Sequence, residues 1–353
     1  SGQYGPRLIG HLMRDRDNQD TLGTFTSTFV YCLLILKTAR TGDGGSGENT
    51  VSEFVPNLSL LVAMGLTLAS VAVMIYFIHH ISETLNVGNI TGRVGRQLRQ
   101  DLSKLFPDDA HIGDNHTATN MVQKLNDTKS ETVCAHAEGY IQAINHAALL
   151  RFAEDQNCII KIAAKPGEFI TKDRALALTW TASSDELNRE CHAKVRAAFA
   201  MGQQRTAYQN TMFLSDQLVE ILARALSPGV NDPFTAINCV HWFQSGLNQA
   251  LQGFPVSPYK YNAAGNLRLI EPTMTFEALI DRICNQTRLY TARDPNVAHA
   301  MADMLFTLLG NAKSEADKKV IRKNIERFQE ACKENLPTQT ERTVIEAFIQ
   351  ARL

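Results

Sequence analysis

The amino-acid sequence predicts an α-helical membrane protein that carries a soluble α+β domain. The chain of 353 residues contains no charged residue from Phe54 to Ile78, and a second uncharged stretch runs from Thr21 to Leu36. Charged residues return downstream, and the mean hydropathy of the whole chain is slightly negative. We therefore expect transmembrane helices followed by a small β-rich module and a helical bundle.

The second apolar stretch is the stronger membrane signal. Leu58 to Ile78 has the roughly 20 apolar residues needed to cross a hydrocarbon core about 30 Å thick. A buried core helix of a soluble protein is the alternative, but so long an apolar run is typical of a span. We predict this span over residues 57–80.

The first span, predicted over residues 20–38, has two different faces. At helical spacing it presents an apolar stripe of Phe25, Phe29, Leu33 and Leu36. Its other face is a hydroxyl stripe of Thr21, Thr24, Thr28 and Tyr31. These four residues could line a pathway, or they could pack against another helix with hydroxyls bonded to their own carbonyls. Small polar residues commonly join membrane helices, so packing is the favoured interpretation.

The flanking charges predict the topology. Basic residues lie before the first span and after the second, whereas the connecting loop over residues 41–49 is rich in Gly and carries acidic residues. The positive-inside rule places both basic flanks in the cytoplasm of a multi-pass inner-membrane protein, with a cytoplasmic soluble domain. Residues 87–105 form a basic amphipathic exit helix, expected to lie near anionic headgroups, and the membrane region ends at residue 106.

The soluble part is predicted as a β-rich module over residues 107–184 and a helical domain over residues 185–353. In the first we expect a helix over 117–128, a strand over 133–144, a helix from the Asn145 cap to 156, and strands near 159–162, 169–170 and 175–180. In the second we expect helices over 213–226, 234–251, 274–292, 295–312, 315–335 and 339–352, with a hairpin over 259–271 around Gly265-Asn266. Thr338 and Glu341 form a capping box.

Two polar stretches supply ligand candidates. The loop from Ser227 to Pro233 contains Asn231 and Asp232, which could bind an ion or polar ligand or could cap the next helix; Pro233 favours the cap. The other stretch begins at Arg205 and includes Gln209. Arg205 and Arg224 are expected to meet Asp216 or Asp232, and a structural ion pair is the usual explanation for such residues.

Several classes of protein and site are disfavoured. A net charge of −1 argues against a nucleic-acid partner. The seven cysteines show no C-x-x-C spacing, which indicates a reduced compartment without structural zinc. No hydrolase elbow, P-loop or dinucleotide fingerprint occurs, so we expect neither enzymatic activity nor a cofactor. His79 and Glu83 share a helix face, but two ligands do not make a metal site, and a position in the headgroup zone is the simpler explanation.

A series of short strings resembles one bacterial family. In chain order they start at Gln3, Arg14, Thr28, Tyr76, Gly139, Pro166 and Ala225, and the most specific runs from Leu226 to Ala236. Together they resemble the predicted membrane proteins of domain of unknown function 2254, over nearly the whole chain. That resemblance implies two further spans before Ser1, hence four in the intact protein, and implies no activity.

Two functions remain open from the sequence. The first is a homo-oligomeric channel-like or transport-related protein, because two to four spans enclose a pathway only as several copies. The alternative is a membrane-anchored regulatory or scaffolding protein that binds a partner through its cytoplasmic domain. The expected partners are the lipid membrane, further copies of the chain, and an unidentified small molecule or ion.

Overall fold

The computed structural model describes residues 16–38, 57–84, 87–108, 122–123, 125, 129–181 and 188–352. Most of the helix predicted over 117–128 lies outside these residues. The chain divides into two compact units, one up to residue 90 and one from residue 91 onward.

The first unit contains two long helices. Helix α1 spans Arg16–Thr38 and helix α2 spans Asn57–Thr84. Within them, Gln19–Thr38 and Asn57–His79 are long and apolar enough to cross a membrane, and most of their side chains are exposed. These ranges agree with the spans predicted over 20–38 and 57–80.

Helix α3 spans Val87–Leu105, and its apolar side chains pack in the second unit. Val94, Leu98 and Leu102 are buried. A Cβ at Gly95 would lie 2.2 Å from the indole of Trp242, so this glycine permits a close helix–helix approach. The amphipathic pattern is confirmed, because the apolar side of the helix is part of a protein core while its arginines are exposed.

A five-stranded sheet forms the centre of the β-rich part. Its strands are β1 (Glu131–Cys134), β3 (Cys158–Ile162), β5 (Ala175–Thr181), β7 (Tyr259–Tyr261) and β8 (Leu267–Ile270). Their order is β1-β5-β3-β8-β7, with β3 and β8 parallel and the other pairs antiparallel. The hairpin predicted around Gly265-Asn266 is confirmed as β7–β8. Strand β8 of this hairpin pairs with β3 of the predicted β-rich module, so a single sheet contains strands from both predicted soluble segments.

A second sheet has three strands in the order β4-β2-β6, namely Phe169–Ile170, Gly139–Ile144 and Phe199–Gly202. The single strand predicted over 133–144 is wrong, because β1 ends at Cys134 and β2 begins at Gly139. Gly139 has φ +154, and a Cβ there would lie 2.9 Å from the carbonyl oxygen of Gly202. Strand β6 was missed because it is only four residues long between helices.

Helices pack around these sheets and form the rest of the second unit. They are α4 (His146–Asp155), α5 (Arg189–Ala197), α6 (Thr211–Ala225), α7 (Pro233–Gln252), α8 (Phe276–Thr291), α9 (Pro295–Asn311), α10 (Glu315–Asn335) and α11 (Gln339–Gln350). The Asn145 cap of α4 and the Thr338–Glu341 capping box of α11 are both confirmed.

Candidate functional site

A part-buried carboxylate on α6, that of Asp216, is shared by two arginines. Nη1 of Arg205 donates to Oδ2 of Asp216 at 2.6 Å. From α8, Nη2 of Arg282 lies 2.9 Å from each oxygen of the same carboxylate, and Gln286 approaches Oδ1 at 3.4 Å. We call these four residues the Asp216 cluster. Asp216 or Asp232 was the expected partner of Arg205, and the structure shows Asp216, whereas Arg282 was not among the sequence candidates.

The segment that carries Arg205 is fixed to the three-stranded sheet. The side chain of Gln209 accepts a hydrogen bond from the amide of Ile144 at 2.8 Å and donates to its carbonyl at 3.2 Å. The side-chain amide of Gln142 donates to the carbonyl of Gln204 at 2.9 Å. Gln209 itself has φ +52. This sequence candidate therefore positions the loop before α6 through the end of β2.

Asn210 links the same loop to α6. Its side-chain oxygen accepts from the amide of Phe213 and caps the helix. A Cβ added at Gly167 would lie only 1.9 Å from Nδ2 of Asn210, and Gly167 has φ +84. The Pro166-Gly167 turn thus packs directly on the start of the helix that holds Asp216.

Several buried polar atoms near this helix have no hydrogen-bond partner within the described part of the chain. They are Nε of Arg205, Oγ1 of Thr206, Nδ2 of Asn210, Oγ of Ser215 and Oε1 of Gln286. Buried polar atoms are normally paired, so each one calls for an explanation. All five belong to the Asp216 cluster or to the loop and helix that carry it.

The charge of the cluster is unbalanced. Two guanidinium groups face one carboxylate, which leaves one net positive charge. The side chain of Asp216 is 10% exposed and that of Arg282 is 40% exposed, so the cluster runs from the interior to the surface. The guanidinium carbon of Arg205 also lies 5.6 Å from the ring centroid of Phe213, within range of a cation–π contact.

The loop from Ser227 to Asp232 is organised as a helix junction. Asp232 is the N-cap of α7 and accepts from the amide of Thr235 at 3.1 Å and from its hydroxyl at 2.6 Å. Hydrogen bonds from the hydroxyl and then the amide of Thr235 lower the pKa of Asp232. The hydroxyl of Ser227 donates to the carbonyl of Arg224 at 2.6 Å, and Asn231 is exposed with φ +49. The favoured cap interpretation accounts for Asp232.

A groove of about 650 Å³ opens between α7, α9 and α11. Phe234, 79% exposed, and Val344 give it an apolar rim. His241 and His299 also line it. No sequence pattern indicated this groove, because its walls come from three helices that are distant along the chain.

The hydroxyl stripe of α1 is engaged with helix backbones and with α2. Thr28 and Ser70 are buried and joined by a hydrogen bond of 2.9 Å. Thr21 is buried, Tyr31 is half-buried, and the hydroxyl of Thr24 donates to the carbonyl of Asp20 at 2.8 Å. Stripe residues therefore make the contacts that helix packing requires.

The metal candidates show no ligand set. His79 is exposed, and the side chain of Glu83 lies outside the described residues. Among the residues the structure describes, no three His, Cys, Asp or Glu side chains are grouped so as to hold a metal ion.

These features define an α+β protein with two helices of membrane-spanning length and composition. The chain belongs to the family described as Predicted membrane protein (DUF2254), whose model matches residues 1–307. It is 25% identical over 354 residues to uncharacterized proteins of Mycobacterium tuberculosis and Mycobacterium bovis. The alignments cover 98% of this chain but 65% of the length of those relatives. No solved structure matches the chain.

Proposed function

We propose that this is a membrane-anchored binding protein whose soluble part holds a small anionic ligand at the Asp216 cluster. One observation carries the proposal. A single part-buried carboxylate is shared by two arginines, and several residues of the cluster and of the loop and helix that carry it have buried polar atoms without a partner among the described residues. This proposal corresponds to the membrane-anchored regulatory protein that the sequence left open as an alternative, and it adds the chemical class of the ligand, an anion.

The physical reason for an anion lies in charge and hydrogen bonding. Each buried polar atom without a partner costs about 1–3 kcal/mol. Most of the unpaired atoms are donors, including Nε of Arg205 and the hydroxyl of Ser215. A carboxylate or phosphate ligand would accept hydrogen bonds and balance the extra positive charge. The half-exposed Arg282 provides the side from which such a ligand would enter.

Inorganic phosphate is a direct probe of this site. The full chain in detergent is melted at increasing phosphate concentration, with ionic strength held constant by sodium chloride. Ligand binding to the folded state raises the melting temperature by mass action. We expect a saturable rise for the wild type and a loss of that rise in Arg282→Gln.

Arg322→Gln is the matched control, because Arg322 is also an exposed arginine and its nearest ion-pair contact is 3.9 Å long. It should keep the phosphate response. Acetate tests whether a carboxylate serves as well as a phosphate. If neither anion shifts the wild-type melting temperature, the Asp216 cluster is a structural ion pair and the proposal is overturned.

We further propose a multi-pass protein of the bacterial inner membrane with its soluble part in the cytoplasm. The basic flanks on either side of the two apolar helices support this orientation. Single cysteines introduced between residues 41 and 53 should react with a membrane-impermeant maleimide in intact cells. Cysteines introduced at exposed positions after residue 100 should react only after lysis, and the opposite pattern would reverse the orientation.

A homo-oligomeric, channel-like protein is the second candidate. It is favoured by the small-residue faces of the spans, since a Cβ at Gly23 or at Gly65 would meet nothing within 4 Å in the part of the chain that the structure describes. Further helices can approach closely at such positions. Gly23→Leu and Gly65→Leu should then reduce the mass of the detergent-solubilised particle toward that of one chain. A wild type that is already monomeric by light scattering removes this candidate.

A further inference from the structure

The exposed face of α3 carries three arginines with nothing to neutralise them. Arg93, Arg96 and Arg99 are all exposed. None of them has an ion pair or hydrogen bond with another side chain among the described residues. No acidic residue occurs between Val87 and Gln100. This face therefore presents uncompensated positive charge to its surroundings.

The basic residue further along the helix is different. Lys104 lies 3.3 Å from Asp101, and the side chain of Gln97 donates to the same carboxylate at 3.0 Å. The positive charge of α3 is thus neutralised toward its C-terminal end. Among the residues that the structure describes, it remains without an acidic side-chain partner from Arg93 to Arg99.

The opposite face of α3 fixes the direction in which the arginines point. Gly95 packs on Trp242 so tightly that a Cβ would collide with the indole. The side chain of Asn238 donates to the hydroxyl of Thr91 at 3.1 Å. Because α3 is locked onto α7 in this way, its basic face is a fixed surface of the soluble unit.

Few residues separate this surface from the second apolar helix along the chain. Helix α2 ends at Thr84 and Arg93 follows nine residues later. At about 3.3–3.6 Å per extended residue, a segment of this length reaches at most roughly 30 Å. The membrane is therefore the partner that a positively charged surface at this place in the chain would meet first.

We propose that Arg93, Arg96 and Arg99 bind the phosphate groups of anionic phospholipids and so hold the soluble unit against the membrane surface. Guanidinium groups suit this role because their planar array of donors matches phosphate oxygens. Since α3 is packed rigidly on α7, lipid charge would set the orientation of the whole soluble unit. The inference rests on the membrane anchoring in the proposed function and is independent of the anion site at Asp216.

Trp242 provides a reporter at the right place. The chain has two tryptophans, so Trp180→Phe leaves Trp242, packed under α3, as the only one. The full chain is reconstituted into vesicles that contain a dansyl-labelled lipid headgroup as energy acceptor. The vesicles are made of phosphatidylcholine alone or of an equal mixture with phosphatidylglycerol, and energy transfer from Trp242 is measured.

We expect more energy transfer in the anionic vesicles, and we expect this increase to disappear at about 1 M salt, where the screening length is about 3 Å. The increase should also be lost in Arg93→Gln/Arg96→Gln/Arg99→Gln. These side chains are exposed, so the variant should keep the wild-type circular dichroism spectrum.

The control variant removes the same charge elsewhere in the soluble unit. Lys318→Gln/Lys319→Gln/Arg322→Gln on α10 should keep the lipid-dependent increase. Equal transfer in both kinds of vesicle, in a protein that floats with them, overturns the inference and leaves the Asp216 proposal untouched. A chain that does not float with either vesicle overturns the membrane anchoring and this inference together.

Discussion

Ser70 donates a hydrogen bond to the hydroxyl of Thr28 across 2.9 Å, and both side chains are buried between the two apolar helices. A polar pair of this kind fixes the position at which neighbouring helices pack, because lipid offers neither hydroxyl a hydrogen-bond partner. It gives the hydroxyl stripe of α1 a packing role that needs no water-filled pathway.

Thr28→Val tests that packing role while it preserves the shape of the side chain. Interhelical hydrogen bonds in membranes are worth about 0.6 kcal/mol on average. We expect Thr28→Val to lower the stability of the helix pair by about this amount in an SDS unfolding titration.

Thr24→Val is the matched control, since among the described residues the hydroxyl of Thr24 bonds only to the carbonyl of Asp20 on its own helix. It should leave stability nearly unchanged. A change of ion conductance in reconstituted bilayers with either variant, at unaltered stability, would instead favour a pathway along the stripe.

The contact between α3 and α7 gives a second prediction. In Gly95→Ala the new methyl group would lie 2.2 Å from the indole of Trp242, so the helices must separate. Overpacking of this kind costs about 1–3 kcal/mol. Thermal melting of the second unit, measured in the full chain, should show the loss.

Gly92→Ala serves as the comparison on the same helix. A Cβ there would have ordinary contacts, the nearest 3.5 Å away on Arg96. Alanine is also better than glycine inside a helix by about 0.8–1 kcal/mol. Gly92→Ala should therefore be neutral or stabilising, and equal effects at both positions would contradict the close approach at Gly95.

The sequence was most informative where structure is local. Apolar runs defined α1 and α2, and capping residues such as Asn145 and Thr338 defined helix starts. It could not show which strands pair, because the parallel contact of Ile160 with Leu269 joins residues more than a hundred positions apart. For the same reason the periodicity of α3 revealed an apolar face but not that Trp242 covers it.

The candidate site shows the same difference between contacts that are local in sequence and contacts that are not. Arg205 and Asp216 are eleven residues apart, and their pairing was foreseen. Arg282 comes from another helix, and its sequence surroundings resemble any amphipathic surface. Gln209 was proposed as a ligand residue, but its contacts with Ile144 only become visible once β2 and the loop are folded.

Asp232 supplies a third prediction that separates capping from ligand binding. Asp232→Ala removes the acceptor for the amide and hydroxyl of Thr235 and should cost about 1 kcal/mol of stability. Asp232→Asn keeps a good cap and should cost less. Both variants should retain any phosphate response of the wild type.

The pH dependence of this cap follows from the lowered pKa of Asp232. A carboxyl whose folded-state pKa lies below its unfolded value contributes stability above the unfolded value, near 3.9, and loses it as the pH falls through the folded value. The stability difference between wild type and Asp232→Asn should be constant from neutral pH to about pH 5 and should change only below about pH 4. A difference that changes near neutral pH would point to another titrating group.

Asp216 gives the sharpest prediction, because its removal leaves two arginines facing each other. Asp216→Asn takes away the carboxylate that accepts from Arg205 and Arg282. Breaking a fully buried ion pair from one side costs about 3–5 kcal/mol, and we expect a smaller loss here because Arg282 is partly exposed. Adding Arg205→Gln to Asp216→Asn should recover part of that loss, so the two changes are not additive in a double-mutant cycle measured by thermal or denaturant unfolding. The surface pair Glu315–Lys318 is the reference cycle, and its coupling should be much smaller than that between Asp216 and Arg205. If Asp216→Asn costs no more than a change at Glu315, the carboxylate does not hold the arginines in place, and the site lacks the preorganised charge that anion binding requires.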